Sequence, residues 1–300
     1  MELMISSSTV ITIVLLDTLS ENIFSKRISK KCEVFMSDDL LEKEYISGWT
    51  LSAKQHFDDG DYEWLCDAIQ QCFPDGSCKR ILELGCGAGY STLVFLLRDY
   101  RVVSVDINVE AVKHTDALIK NHDYASKIKT TGDPDNGDTD ALLWEIDIVH
   151  KLDQIKKWAE LQGPQNKINL IVLCNPGGNV SEVLTQRELE LLQWGEFTNE
   201  EILECCKNGD IDLLHKWALI YASCALSQLT NIPLLIVDRD TDVEFENTLK
   251  RLESDVQMKM TNFAVRPIRQ PPSGGTRLVD ASGQSGQLYW GVALFTPTNS

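Results

Sequence analysis

The residues of this chain that could do chemistry gather in four short clusters and one isolated histidine. Glu83-Leu84-Gly85-Cys86-Gly87-Ala88-Gly89 sets a carboxylate two residues ahead of three alternating glycines. Glycine lets the backbone turn through positive φ and lets a ligand approach main chain where a Cβ would block it. Unpaired amides at the start of the helix that follows point at whatever binds there. Glu83, Gly85, Cys86, Gly87 and Gly89 are therefore candidate binding residues. Asp106 ends the β-branched run Arg101–Val105, with Ile107 beside it, and an acid at such a strand end can accept hydrogen bonds from both ribose hydroxyls. Asp133 follows the run Lys127–Thr131, and Asn175 follows the apolar run Asn169–Cys174. His56 is the histidine best placed to act as a base, since an imidazole is usable near neutral pH.

These side chains need a scaffold, and the hydrophobic pattern supplies one. Short apolar runs at 80–84, 101–105, 127–131, 169–174 and 232–237 alternate with helical periodicity, which predicts βα units and a parallel sheet. Each of the four clusters falls at the carboxyl end of a predicted strand, where open α/β sheets bind ligands. Asp58-Asp59-Gly60-Asp61 is expected to cap a helix from Tyr62 to Phe73. Helices are also expected at Asn108–Lys120, Asp153–Leu161, Ile211–Leu229 and Thr241–Ser254. The last two runs, Val256–Ile268 and Gln287–Pro297, have no helix between them and must pair antiparallel.

A dinucleotide fingerprint needs G-x-G-x-x-G. Gly85 and Gly87 fit it, but Tyr90 stands at the third position and the third glycine comes one residue early. The acid followed by G-x-G-x-G, with the acids and Asn175 in order behind it, resembles the class I S-adenosylmethionine (SAM) methyltransferases over roughly residues 58–297. The resemblance implies a Rossmann-like, doubly wound, mostly parallel α/β sheet of seven strands with the last antiparallel. It also implies binding of SAM, with S-adenosylhomocysteine (SAH) as product. Asp106 then takes the ribose and Asp133 the adenine amino group. Asn175-Pro176 is similar to the start of the Asn-Pro-Pro-aromatic motif of amino-group methyltransferases. Gly177 and Gly178 replace its last two residues, which removes the stacking aromatic and counts against adenine or glutamine as acceptor. SAM chemistry mainly needs alignment of donor and acceptor, so no fixed catalytic dyad is required. Asn175 and His56 are the catalytic candidates.

Composition bounds the rest. A formal net charge of −17 argues against nucleic acid as the main partner. A small-molecule or peptide acceptor is expected. Nine cysteines without a C-x-x-C pair predict free thiols in a cytoplasmic setting and no metal site. The apolar run Thr9–Leu16 is too short to span a bilayer and reads as an added strand through which the chain could dimerise. Residues 1–57 read as an N-terminal extension or cofactor lid, and 58–300 as the methyltransferase domain. About thirty residues, Val180–Asp210, form a helical insert expected to act as a substrate lid. Besides a methyltransferase, a catalytically idle SAM-fold binding or scaffolding subunit and an NAD-dependent oxidoreductase are the alternatives.

Overall fold

A sheet buried on both faces needs strands that are apolar on both faces, and this chain provides them. The structure, a computed structural model, describes residues 50–122, 128–131, 139–174, 176, 183–240, 242–267 and 289–298. The chain divides into two compact units, Met1–Glu44 and Tyr45–Ser300, and all described residues belong to the second. The strands are β1 Arg80–Leu84, β2 Arg101–Asp106, β3 Ile128–Thr131, β4 Ala141–Glu145, β5 Leu170–Cys174, β6 Leu234–Asp240, β7 Met258–Pro267 and β8 Tyr289–Pro297. The helices are α1 over 50–58, α2 Asp61–Cys72, α3 Tyr90–Leu97, α4 Val109–Asn121, α5 Leu152–Glu160, α6 Gln186–Trp194, α7 Asn199–Asn208, α8 Ile211–Thr230 and α9 Asp242–Asp255.

The sheet runs β3-β4-β2-β1-β5-β6-β8-β7. It has eight strands where seven were expected; without β3 at its edge, the other seven run 3-2-1-4-5-7-6 in chain order. β8 runs antiparallel to both β6 and β7, so the expected antiparallel last strand is present. Helices α2, α3 and α4 cover one face, packing Ile69, Phe95 and Ile119. Helices α5 to α9 cover the other, packing Ile155, Leu192, Ile202, Tyr221 and Leu252.

One strand assignment needs correction. The run at 127–131 does form a strand, β3, but it does not lie beside β2. That place belongs to β4, whose register sets Asp106 against Glu145, and which the sequence pattern left unassigned. Ala141, Leu142, Leu143 and Trp144 are all buried, as an interior strand requires. The mixed Ile-Lys-Thr-Thr of β3 suits an edge. The strand end next to Asp106 is therefore Glu145-Ile146-Asp147, while Asp133 lies outside the described residues.

Two further expectations change. The acids before α2 do not cap it. Its N-cap is Gly60 in the left-handed region, with no side-chain cap, and the Asp61 carboxylate turns elsewhere. The helices of the insert are also not a detached lid. Capping boxes at Thr185/Glu188 and Thr198/Glu201 open α6 and α7, and Leu191, Leu192, Phe197 and Ile202 are buried in the core. Phe197 packs against Trp217 and Tyr221, and Trp194 stands edge-on to Tyr221, so both aromatics pack onto α8. Gly195 ends α6 flat against Tyr221, whose hydroxyl donates to the Gly195 carbonyl at 2.9 Å. A Cβ on Gly195 would stand 2.1 Å from the ring. Gly195→Ala is therefore expected to cost about 1–3 kcal/mol, the usual range for overpacking. The midpoint of urea unfolding measures this, and Gly163→Ala, whose Cβ would meet nothing within 4 Å, should leave it nearly unchanged.

Candidate functional site

The site is built around a carboxylate that cannot reach water. Glu83 lies on β1, fully buried, in register with Ser104 of β2. Three hydroxyls donate to it: Ser91 at 2.5 Å, Thr92 at 2.5 Å and Ser104 at 2.6 Å. Ser91 and Thr92 belong to the first turn of α3, so Glu83 pins the helix that the glycine loop leads into. Burial pushes its carboxyl above the usual carboxylate range, against the opposing pull of the three hydroxyls.

Above Glu83, the loop takes the shape its glycines predict. Gly85, Gly87 and Gly89 have φ of 81°, 50° and 79°. The amides of Gly85 and Cys86 both donate to the Val105 carbonyl, at 2.8 and 3.1 Å, which ties the loop to β2. The glycines do different work. A Cβ on Gly89 would stand 2.5 Å from the Thr115 hydroxyl, whereas one on Gly85 would meet nothing within 4 Å. Gly89 thus allows α3 to approach α4, and Gly85 faces open space. Cys86 is buried, its thiol pushed well above the ordinary range by burial, so it packs as a neutral side chain.

Asp106 ends β2, nearly buried, and already holds backbone. Oδ2 accepts from the Gly87 amide and Oδ1 from the Asn108 amide, each at 2.9 Å. Each oxygen keeps capacity for a further donor. Burial pushes this carboxyl up as well. Among the described residues, neither Glu83 nor Asp106 has an Arg, Lys or His partner, so two acids share one loop with no protein counter-ion. Ile107 beside them is 56% exposed.

His56 lies on α1 in a buried polar cluster. Its Nδ1 is 2.9 Å from Asp61 Oδ2, and Trp290 Nε1 donates to the same oxygen at 3.2 Å. The imidazole stands edge-on to Trp290, with ring centroids 5.0 Å apart. Arg266 comes within 3.6 Å of Asp61 Oδ1. Phe57 meets Tyr90, the residue after the glycine loop, at 5.4 Å between centroids. The structure thus brings Glu83, the glycines, Cys86, Asp106 and Ile107 together, and sets His56 on a helix that contacts their loop. Asn175, like Asp133, lies outside the described residues.

Sequence reading missed Ser91, Thr92, Ser104 and Asp61. It also missed His114, whose half-buried ring has Nδ1 3.0 Å from the Ala88 carbonyl of the loop. The signal for Ser104 was a lone polar residue inside Val-Val-Ser-Val.

Because folding raises the Glu83 pKa, the group's contribution to stability is present at acid pH and is lost as pH rises through the folded-state value. Gln mimics the neutral form, and the three hydroxyls can turn to accept from its amide. Glu83→Gln is expected to be more stable than the parent at pH 8, with the gap closing towards pH 4, as read by urea unfolding across that range.

Residues 69–143 match the family Protein-L-isoaspartate(D-aspartate) O-methyltransferase (PCMT). The match covers about a quarter of the chain, from α2 through the glycine loop and β2 into β4. No curated protein matches this sequence. Solved structures superpose loosely. The methyltransferase domain of bacterial CtHen1-CN is 12% identical over 80% of this chain and 99% of that one, with a TM-score of 0.43. The N-methyltransferase NodS from Bradyrhizobium japonicum WM9 is 12% identical over 81% and 97%, with a TM-score of 0.41.

Proposed function

We propose, from the chain's membership of the Rossmann-like class I SAM-dependent methyltransferase family, that it binds SAM over the ends of β1 and β2 and transfers a methyl group to a small-molecule or peptide acceptor. The observation that carries this reading is the pair of buried acids that have no counter-ion among the described residues. Such a loop is costly to keep charged unless a cation arrives, and SAM carries two positive centres, an ammonium and a sulfonium. The open side of Gly85 gives the ligand access to backbone.

When bound, the cofactor supplies a methyl group already activated on sulfur. The chain's residues hold and orient. Asp106 offers its remaining lone pairs to the ribose hydroxyls, and exposed Ile107 offers an apolar face to the adenine. Glu83 supplies negative potential beneath the loop. Asn175 aligns the acceptor after β5. His56 takes the acceptor proton where the acceptor must lose one. Asp61 faces its Nδ1 at 2.9 Å and orients the ring. The family match ends at residue 143, before β5.

Asp106→Ala should weaken SAH binding by about 1.5–3 kcal/mol, the range for hydrogen bonds to a charged group, as read by isothermal titration. Equal affinity in parent and variant sinks the cofactor assignment. Because burial raises both carboxyls and the ammonium of the ligand favours their charged forms, parent affinity should rise with pH.

His56→Ala should leave SAH affinity within about twofold, below 0.5 kcal/mol. It should lower transfer of labelled methyl from SAM to acceptors in a cell extract. Unchanged transfer would remove His56 from the chemistry.

A further inference from the structure

A line of hydrogen bonds leaves the cofactor edge and ends under the insert. The Ile146 amide donates to the Asp106 carbonyl at 2.9 Å. The next residue, Asp147, accepts from the His150 amide at 3.0 Å and faces His150 Nδ1 at 2.7 Å. His150 Nε2 lies 3.0 Å from Thr185 Oγ1. Thr185 is the N-cap of α6, and its hydroxyl donates to Glu188 Oε2 at 2.8 Å. The other oxygen of Glu188 faces His215 Nδ1 on α8 at 2.6 Å.

The two histidines in this line differ. The His215–Glu188 pair is buried, with side chains 1% and 5% exposed, whereas those of His150 and Asp147 are 38% and 26% exposed. The inner pair, with Leu191 and Leu192, docks α6 permanently. The outer contact competes with water and is weak enough to change. It also joins segments 35 residues apart, on either side of β5 and the connection that carries Asn175.

We infer that His150 is a positioning residue that registers the first turn of α6 on the cofactor edge, so that occupancy at Asp106 is felt at the far end of the Asn175 connection. This rests on the cofactor reading above. Spatial continuity alone does not establish coupling, so the test measures coupling directly.

Amide hydrogen exchange is followed by mass spectrometry in peptides spanning 185–194, with and without saturating SAH, in the parent, His150→Ala and His150→Gln. In the parent, SAH should slow exchange in the first turn of α6 by at least about threefold. In His150→Ala, SAH affinity by titration should stay within about twofold of the parent while the slowing disappears. His150→Gln keeps a donor and an acceptor and should recover part of it. If the parent binds SAH and α6 does not respond, or if His150→Ala responds as the parent does, the inference is wrong and the cofactor reading stands. If the parent fails to bind SAH, both fall together.

Discussion

The cofactor half of this molecule depends on one buried carboxylate. Glu83 sits on β1, between β2 and β5, where an ionisable group is costly. Ser91, Thr92 and Ser104 offset that cost, and in doing so they fix the geometry above. Two of the three hydroxyls come from the first turn of α3 and one from β2, so the same bonds that satisfy Glu83 hold both sides of the glycine loop. The N-terminal end of α3, with its positive dipole, also favours a negative charge beneath it. Asp106 then closes the loop from the other side by accepting from Gly87. The result is a rigid, electronegative cradle formed by short-range contacts alone, ready before any ligand arrives.

That explains which parts of the site were legible. The glycine loop and Asp106 could be read because their chemistry is local: positive φ demands glycine, and an acid at a strand end is conspicuous. The hydroxyl network could not. Serine and threonine in a strand or in the first turn of a helix usually signal a solvent-facing side or a cap, and only the register that sets Glu83 against Ser104 shows otherwise. β4 was hidden by its surroundings, a short run close behind the acidic stretch from Asp133 to Asp140. Its burial on both faces, the property that makes it interior, comes from helices far along the chain. The capping box of α6, Thr185-Gln-Arg-Glu188, was in plain view, and would have shown that the insert carries two helices.

Asp61 shows a different kind of failure. As part of an acidic run just before a helix, it reads as a cap. In the structure it serves His56, five residues before it, and Trp290, 229 residues after it. A cap needs only a neighbouring amide, and Gly60 in the left-handed region leaves the carboxylate free of that duty. The buried alternative could be chosen only once β8 had brought Trp290 to the same edge as α1. Local propensity loses here to a tertiary contact between the first and last described elements.

The two halves therefore meet the reaction edge by different physics. The β1–β2 half presents carboxylates held by hydrogen bonds, with no cationic partner among the described residues. The half beyond β5 presents packing: α6 and α7 are set into the core by Leu191, Leu192 and Ile202, Gly195 lies flat on Tyr221, and the Arg251 guanidinium sits 3.7 Å over Phe197. Helices fixed in this way cannot swing over an acceptor as a lid would. The connection between β5 and Thr185 joins the two halves. One end of that connection is fixed by the sheet. The other is fixed by a helix cap that also touches the cofactor edge through His150. The three hydroxyls that hold Glu83 all lie outside that connection, on α3 and β2.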